Sequence, residues 1–152
     1  MGTHSTVKFY VDDKVICQVY HQFDGYPEGV GLDLTRFLLS KDFTCGIRMG
    51  EVFNGAGDFI AQYIANCKVD KKMSVDKHCI DPNIRAGTTY LIEIDYPPEE
   101  YHYEVCFKEK GEKTPKITIS VHAYGKLLID KAAPQDYERV VKFLKEVGSE
   151  TE

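Results

Sequence analysis

Tryptophan does not occur in this 152-residue sequence, so its large aromatic side chains are eight phenylalanines and ten tyrosines. An excess of positive charge is missing as well: 24 acidic against 19 basic residues leave a formal net charge of −5. That balance argues against nucleic acid as a partner, because a phosphate backbone needs clustered Lys and Arg to displace its counterions. The Lys-rich tracts, Lys68-Lys71-Lys72 and Lys108 to Lys116, are interleaved with acids and read as solvated surface. No Cys-x-x-Cys pair exists. The five cysteines, Cys17, Cys45, Cys67, Cys79 and Cys106, are odd in number and scattered, which speaks against a zinc knuckle and a disulfide framework. A free thiol in an apolar run acts as a small core hydrophobe, and a reducing, cytoplasmic compartment is expected. No apolar run approaches a membrane span and Met1 to Thr6 lacks signal-peptide character, so no membrane partner is expected. Met1-Gly2-Thr3-His4-Ser5-Thr6 does fit the N-myristoylation pattern, which matters only in a eukaryotic cell.

What is present suits one globular domain. The chain is 43% apolar and 28% charged, and it is long enough to bury a core without staples. A single α+β domain is expected over residues 1–148, with a frayed acidic tail over 149–152. Val7 to Val11 and Val15 to Phe23 alternate around the polar turn Asp12-Asp13-Lys14 and read as a β-hairpin. Leu34, Phe37 and Leu38 recur at helical spacing until Ser40-Lys41-Asp42. A second helix carries Ile60, Ile64 and Cys67 as a stripe that Phe59 and Tyr63 widen. Residues 69 to 88 show no period and read as a long connection. Three strands follow, Tyr90 to Tyr96, Tyr101 to Phe107 and Ile117 to Ala123, and Tyr124-Gly125-Lys126 turns into Leu127-Leu128-Ile129. Pro134 opens a last helix that buries Tyr137, Val140, Val141, Leu144 and Val147 and stops at Gly148. The order ββ-α-α-βββ(β)-α predicts a single antiparallel sheet of five or six strands, with three helices on one face and a polar, open second face.

One stretch, His21 to Asp33, organises the rest. An apolar strand stops at Asp24-Gly25, and Tyr26-Pro27-Glu28-Gly29 has the composition of a type I turn. Gly29 and a further glycine, Gly31, lead to Asp33, typed to cap the next helix. A similar passage, Gly50 to Asp58, feeds the second helix, with Asp58 as its cap. Glycine-rich turns at helix starts favour anions. The bends at Gly29-Val30-Gly31 and Gly55-Ala56-Gly57 are therefore candidates to hold a phosphorylated ligand, with Phe23 and Tyr26 stacking on its planar part. Asp33 and Asp58 would repel phosphate there, and neither loop matches a nucleotide-binding glycine pattern, so structural glycines are the plainer reading. The candidate ligand-binding set is Gln22, Phe23, Asp24, Tyr26, Gly29, Asn54 and Gly55, provided that the two bends meet.

A second constellation follows from strand register. If Pro97 to Glu100 closes a hairpin, Asp95 faces His102 and Glu93 faces Glu104. If Lys110 to Thr114 closes the next, His102 faces His122 and Glu104 faces Ser120. Cross-strand neighbours are close enough to share a proton or a divalent ion, so Asp95, His102, Glu104 and His122 are catalytic candidates for a small metal-dependent hydrolase. An open sheet face collects polar residues anyway, and a slip of one residue dissolves the pattern. Cys79 beside His78, and Cys45 before Gly46, are cysteines without a nucleophile motif.

Thr3-His4-Ser5-Thr6-Val7, Tyr20 to Gly29 and Phe53-Asn54-Gly55-Ala56-Gly57-Asp58 occur in that order. Together they resemble a family of short, uncharacterised proteins of bacteriophages, bacteria and large DNA viruses. Those begin Thr-Arg-Ser-Thr-Ile and carry a His-Trp-Asp-Gly-Tyr-Pro core. Here His4 replaces the arginine and Phe23 the tryptophan, which removes an indole N–H donor. The resemblance implies a shared fold and a viral setting but no mechanism. The expected function is a non-catalytic binding module without a cofactor, taking a host small molecule (nucleotide-like) or a protein. The alternatives are the hydrolase above and a dimeric structural or interaction protein.

Overall fold

A computed structural model describes residues 2–46, 50–68 and 87–150, with side chains as far as Glu146. The N-terminal hairpin forms as its alternation predicts: β1 (Ser5–Val11) pairs antiparallel with β2 (Lys14–His21). Asp12 and Asp13 both take positive φ, 47° and 69°, as the two central residues of a tight hairpin turn require. After β2 comes one π-helical turn, Pro27–Gly31, which runs directly into α1 (Leu32–Leu38). Two short parallel strands, β3 (Asp42–Thr44) and β4 (Val52–Asn54), make a small ladder before α2 (Gly55–Lys68). Then come β5 (Thr89–Ile92), β6 (Tyr101–Lys108), β7 (Lys116–Ala123), β8 (Lys126–Ala132) and α3 (Pro134–Glu150).

The fold is α+β with one main sheet of six strands in the order β5-β2-β1-β6-β7-β8. Helices cover the face that carries Val7, Phe9, Val19, Tyr103, Val105, Phe107, Ile119 and Val121, all buried. In place of tryptophan, the core between sheet and helices is a cluster of phenylalanine and tyrosine rings. Phe9, Phe53, Phe59 and Phe107 are sealed, and Phe53 meets Phe43 and Phe59 with ring centroids 4.9 and 5.0 Å apart. Each such ring contributes roughly 1.5–3 kcal/mol by leaving water, and edge-on contacts add to it.

Several expectations need correction. The strand read as Tyr90 to Tyr96 ends at Ile92, and no hairpin forms at Pro97 to Glu100. β5 pairs instead with β2, at the sheet edge, while β6 pairs parallel to β1 in the middle. Residues 93–100 therefore cross over β2 and β1 on the face opposite the helices. There the Gln18 amide Nε2 donates to the carbonyls of Glu93 and Tyr96, at 2.8 and 3.4 Å, and the Glu99 amide donates to Thr6 Oγ1 at 3.4 Å. The second face is thus only partly open: Thr6 and Gln18 are fully buried beneath this crossover and His102 is buried beside Thr6, whereas Tyr10, Glu104 and Ser120 stay half-buried. The sheet is not wholly antiparallel. The last helix does not stop at Gly148 but continues to Glu150, so two residues of the expected frayed tail are helical. The connection over residues 69–88 lies outside the described residues except for Gly87 and Thr88. Among the described residues, no helix is long and apolar enough to cross a membrane.

Candidate functional site

The loop Gln22–Gly31 is held from below with unusual thoroughness. Its Tyr26-Pro27-Glu28-Gly29 turn closes as its composition predicts, with the Gly29 amide donating to the Tyr26 carbonyl at 2.8 Å. Two buried phenols brace it: Tyr103 Oη donates to the Gly25 carbonyl at 2.6 Å and Tyr137 Oη to the Pro27 carbonyl at 3.2 Å. Burial raises both phenols above their usual range, so each stays a neutral donor. The Gly25 amide donates to the Thr3 carbonyl at 2.9 Å, tying in the N-terminal segment. Glycine is required by space here. A Cβ on Gly29 would collide with the Asp24 carbonyl, and one on Gly31 with the Tyr137 hydroxyl. Asp24 itself has φ +55°, a conformation that Asp tolerates better than most residues.

On top of this braced loop two aromatic side chains stay exposed, Phe23 at 40% and Tyr26 at 38%. Gly2 packs against the Phe23 ring so closely that a Cβ there would strike it. Gln22 is already committed. Its Nε2 donates to His4 Nε2 at 2.8 Å, and its Oε1 accepts from Tyr20 Oη at 2.7 Å. Asp33 is not a cap: the helical turns begin at Pro27, and Asp33 sits exposed on α1. No free helix start is therefore left at Gly29-Val30-Gly31 for an anion.

The second bend does not join the first. Gly55 and Ala56 lie against Glu109, beyond the C-terminal end of β6, whereas Gly25 hangs on Tyr103 near its N-terminal end. Six residue steps along the strand direction separate those anchors, roughly 20 Å. The start of α2 is occupied by the chain's own carboxylates: Glu109 Oε1 accepts from the Ala56 amide and Asp58 Oδ2 from the Asn54 amide at 2.8 Å. The two-bend site expected from the sequence therefore does not form: Asn54 and Gly55 leave the candidate set, because an internal carboxylate fills the place a phosphate would take, and only the residues of the first loop remain together.

The polar row on the sheet is half as expected. His102 faces His122 and Glu104 faces Ser120, with the two imidazole centroids 6.1 Å apart. Asp95 and Glu93 are absent from it, since both lie in the exposed crossover. His102 Nδ1 and Thr6 Oγ1 share a hydrogen bond at 2.7 Å, whereas His102 Nε2 lies 3.9 Å from Glu104, too far for a hydrogen bond. Glu104 instead accepts from Tyr10 Oη at 2.6 Å. Loss of water lowers His102 to about 4, with the Glu104 carboxylate opposing the shift. A sealed neutral imidazole bonded to a sealed hydroxyl is a structural pair, and among the described residues no three of His, Cys, Asp and Glu are grouped to hold a metal ion. Partial loss of water and the carboxylates of Glu109, Glu112 and Asp12 push the Cys45 thiol up, away from nucleophile character. His78 and Cys79 lie outside the described residues.

What the sequence did not reveal is a hollow of about 190 Å³ beside the central loop. Pro27 and Glu28 of the π-helical turn form one side, and Val141, Leu144 and Lys145 of α3 the other; Tyr101 and Leu128 complete it. The helical spacing of Val141 and Leu144 was visible, but nothing in the sequence places Tyr101, Leu128 and Pro27 against it. No protein-family model matches the chain, and comparison with the curated proteins and with the solved structures finds no match either.

Proposed function

We propose that the chain is a non-catalytic binding module that holds a small molecule between the loop Gln22–Gly31 and the last helix. The observation that carries this reading is a loop fixed by Tyr103, Tyr137 and crowded glycines, whose Pro27 and Glu28 wall a hollow against the last helix and whose Phe23 and Tyr26 stay exposed. Rigid aromatic side chains bind at small entropic cost, because little freedom remains to be lost. Nucleotide phosphates have no support in this geometry, since the second glycine bend is distant and already holds Glu109. The resemblance to phage and large-DNA-virus proteins adds a viral setting, in which a small module of this kind sequesters a host compound in the cytoplasm.

Thermal shift against a panel of nucleotides, cyclic nucleotides, amino acids and small aromatics tests the reading. A ligand at about a hundred times its Kd stabilises by about 2.7 kcal/mol, a shift of several degrees. Saturable stabilisation that Tyr26→Ala or Phe23→Ala weakens supports the module. A flat panel together with a concentration-dependent dimer in sedimentation would replace it by the interaction protein.

A further inference from the structure

We infer that the hollow beside the π-helical turn takes a small zwitterion with a compact apolar body, the chemistry of a free aliphatic or aromatic amino acid. The inference rests on the binding-module reading and names its ligand class.

Size sets the first limit. The hollow holds about 190 Å³ and opens to solvent on one side, so one ring or one branched aliphatic group can seat in it, as a ring does in a dry cavity of about 150 Å³, while polar groups stay at the mouth. Its walls suit such a body: Pro27, Tyr101, Leu128, Val141 and Leu144 present carbon, and Tyr101 offers a ring face. These walls come from elements that cannot easily collapse. The Pro27 carbonyl is held by Tyr137, and Tyr101 is backed by Tyr124, with ring centroids 5.8 Å apart. Leu128 remains 39% exposed, so a guest covering it gains apolar burial that the fold alone leaves unused.

Charge sets the second limit. The two charged residues lining the hollow are of opposite sign, Glu28 on the turn and Lys145 on α3, and both are exposed. A simple anion meets Lys145 but is repelled by Glu28, and a simple cation meets the reverse. An ammonium and a carboxylate on one carbon satisfy both, which is electrostatic complementarity acting as a filter rather than as a source of bulk affinity. Phosphorylated ligands fail the same filter, since one lysine opposed by one glutamate does not neutralise a dianion.

The test compares three compounds that share one apolar body: L-leucine, isovalerate, which lacks the ammonium, and 3-methylbutylamine, which lacks the carboxylate. Each is titrated into the full chain while methyl resonances of Leu128, Val141 and Leu144 are followed by NMR. L-Leucine is expected to shift these methyls saturably, and the two half-molecules to bind about tenfold more weakly or worse. Glu28→Gln and Lys145→Gln are each expected to cost L-leucine about fivefold in affinity. Leu144→Trp, which fills the hollow, is expected to abolish its binding. Equal affinity for all three compounds, or no saturation by L-leucine or L-phenylalanine below about 10 mM, overturns the zwitterion. If another compound of the small-molecule panel then binds and perturbs Phe23 and Tyr26, the binding module survives without it. If nothing in the panel binds, both readings fall.

Discussion

At the scale of single residues, the glycines separate into those the structure needs and those it merely carries. Gly31→Ala drives a methyl into the Tyr137 hydroxyl beneath the π-helical turn. It is expected to cost roughly 2–3 kcal/mol, read as a lowered denaturation midpoint at unchanged slope. Gly57 sits in α2 with nothing within 4 Å of where a Cβ would stand. Gly57→Ala is expected to stabilise by roughly 0.5–1 kcal/mol in the same measurement, from helix propensity alone. A loss in both variants would show that the α2 start is more crowded than its geometry implies.

Two histidines make a pH prediction at the same scale. His21 is sealed between Tyr63 Oη, 2.9 Å from Nε2, and Thr89 Oγ1, 3.2 Å from Nδ1; burial lowers it to about 4, as it does His102. Both folded values lie below the unfolded one of about 6.5, so the unfolded chain takes up protons first. The stability they hold is complete above pH 6.5 and drains away as pH falls towards 4, by up to roughly 3 kcal/mol for each histidine. Urea denaturation at pH 7 and at pH 4.5 measures the drop. His102→Gln is expected to flatten about half of it, and an unchanged slope would remove His102 from the account.

At the scale of elements, the crossover 93–100 is the least expected feature and the easiest to probe. It is fastened to the sheet by Gln18 and Thr6, and its own side chains Ile94 and Tyr96 stay exposed. Gln18→Ala removes the donor that reaches the Glu93 and Tyr96 carbonyls. Proteolytic cleavage within the crossover is expected to rise several-fold, while the rate at other positions rises less. Its invisibility to the sequence has a physical reason. Tyr90, Ile92, Ile94 and Tyr96 alternate, and alternation records only which side chains share a face, not where a strand ends. Pairing with β2 stops at Ile92 because the chain must leave the edge to reach β1. The β6–β7 register, by contrast, was readable, since the two alternating strands are adjacent in sequence and their connection, placed symmetrically between them, sets which residues face each other.

At the scale of the whole molecule, β1 lies in the middle of the sheet, and it joins the two halves of the chain through its parallel pairing with β6. Neither half owns a complete core, because Phe9 of the first and Phe107 of the second lie side by side, with ring centroids 6.5 Å apart. Thermal unfolding followed by far-ultraviolet circular dichroism and by tyrosine fluorescence is expected to give coincident, two-state transitions. Separate midpoints would mean that the halves hold together less tightly than this sheet requires.

The amino-acid order by itself determined most of the elements, though not the β3–β4 ladder, the π-helical turn or the end of β5. Periods of two and of 3.6 marked the strands and helices, proline and glycine marked the turn at Tyr26–Gly29, and the scattered cysteines spoke against a disulfide frame. It also pointed to the loop at Phe23 and Tyr26, because local turn chemistry is written in adjacent residues. Only the tertiary structure decided which ends of the elements meet. It sent Gly29 and Gly55 to opposite ends of β6, laid the crossover over Gln18, and set Leu128 beside Leu144 to leave a hollow. Those outcomes depend on contacts between residues distant along the chain, and a side chain's type is the same whichever distant neighbour it finds.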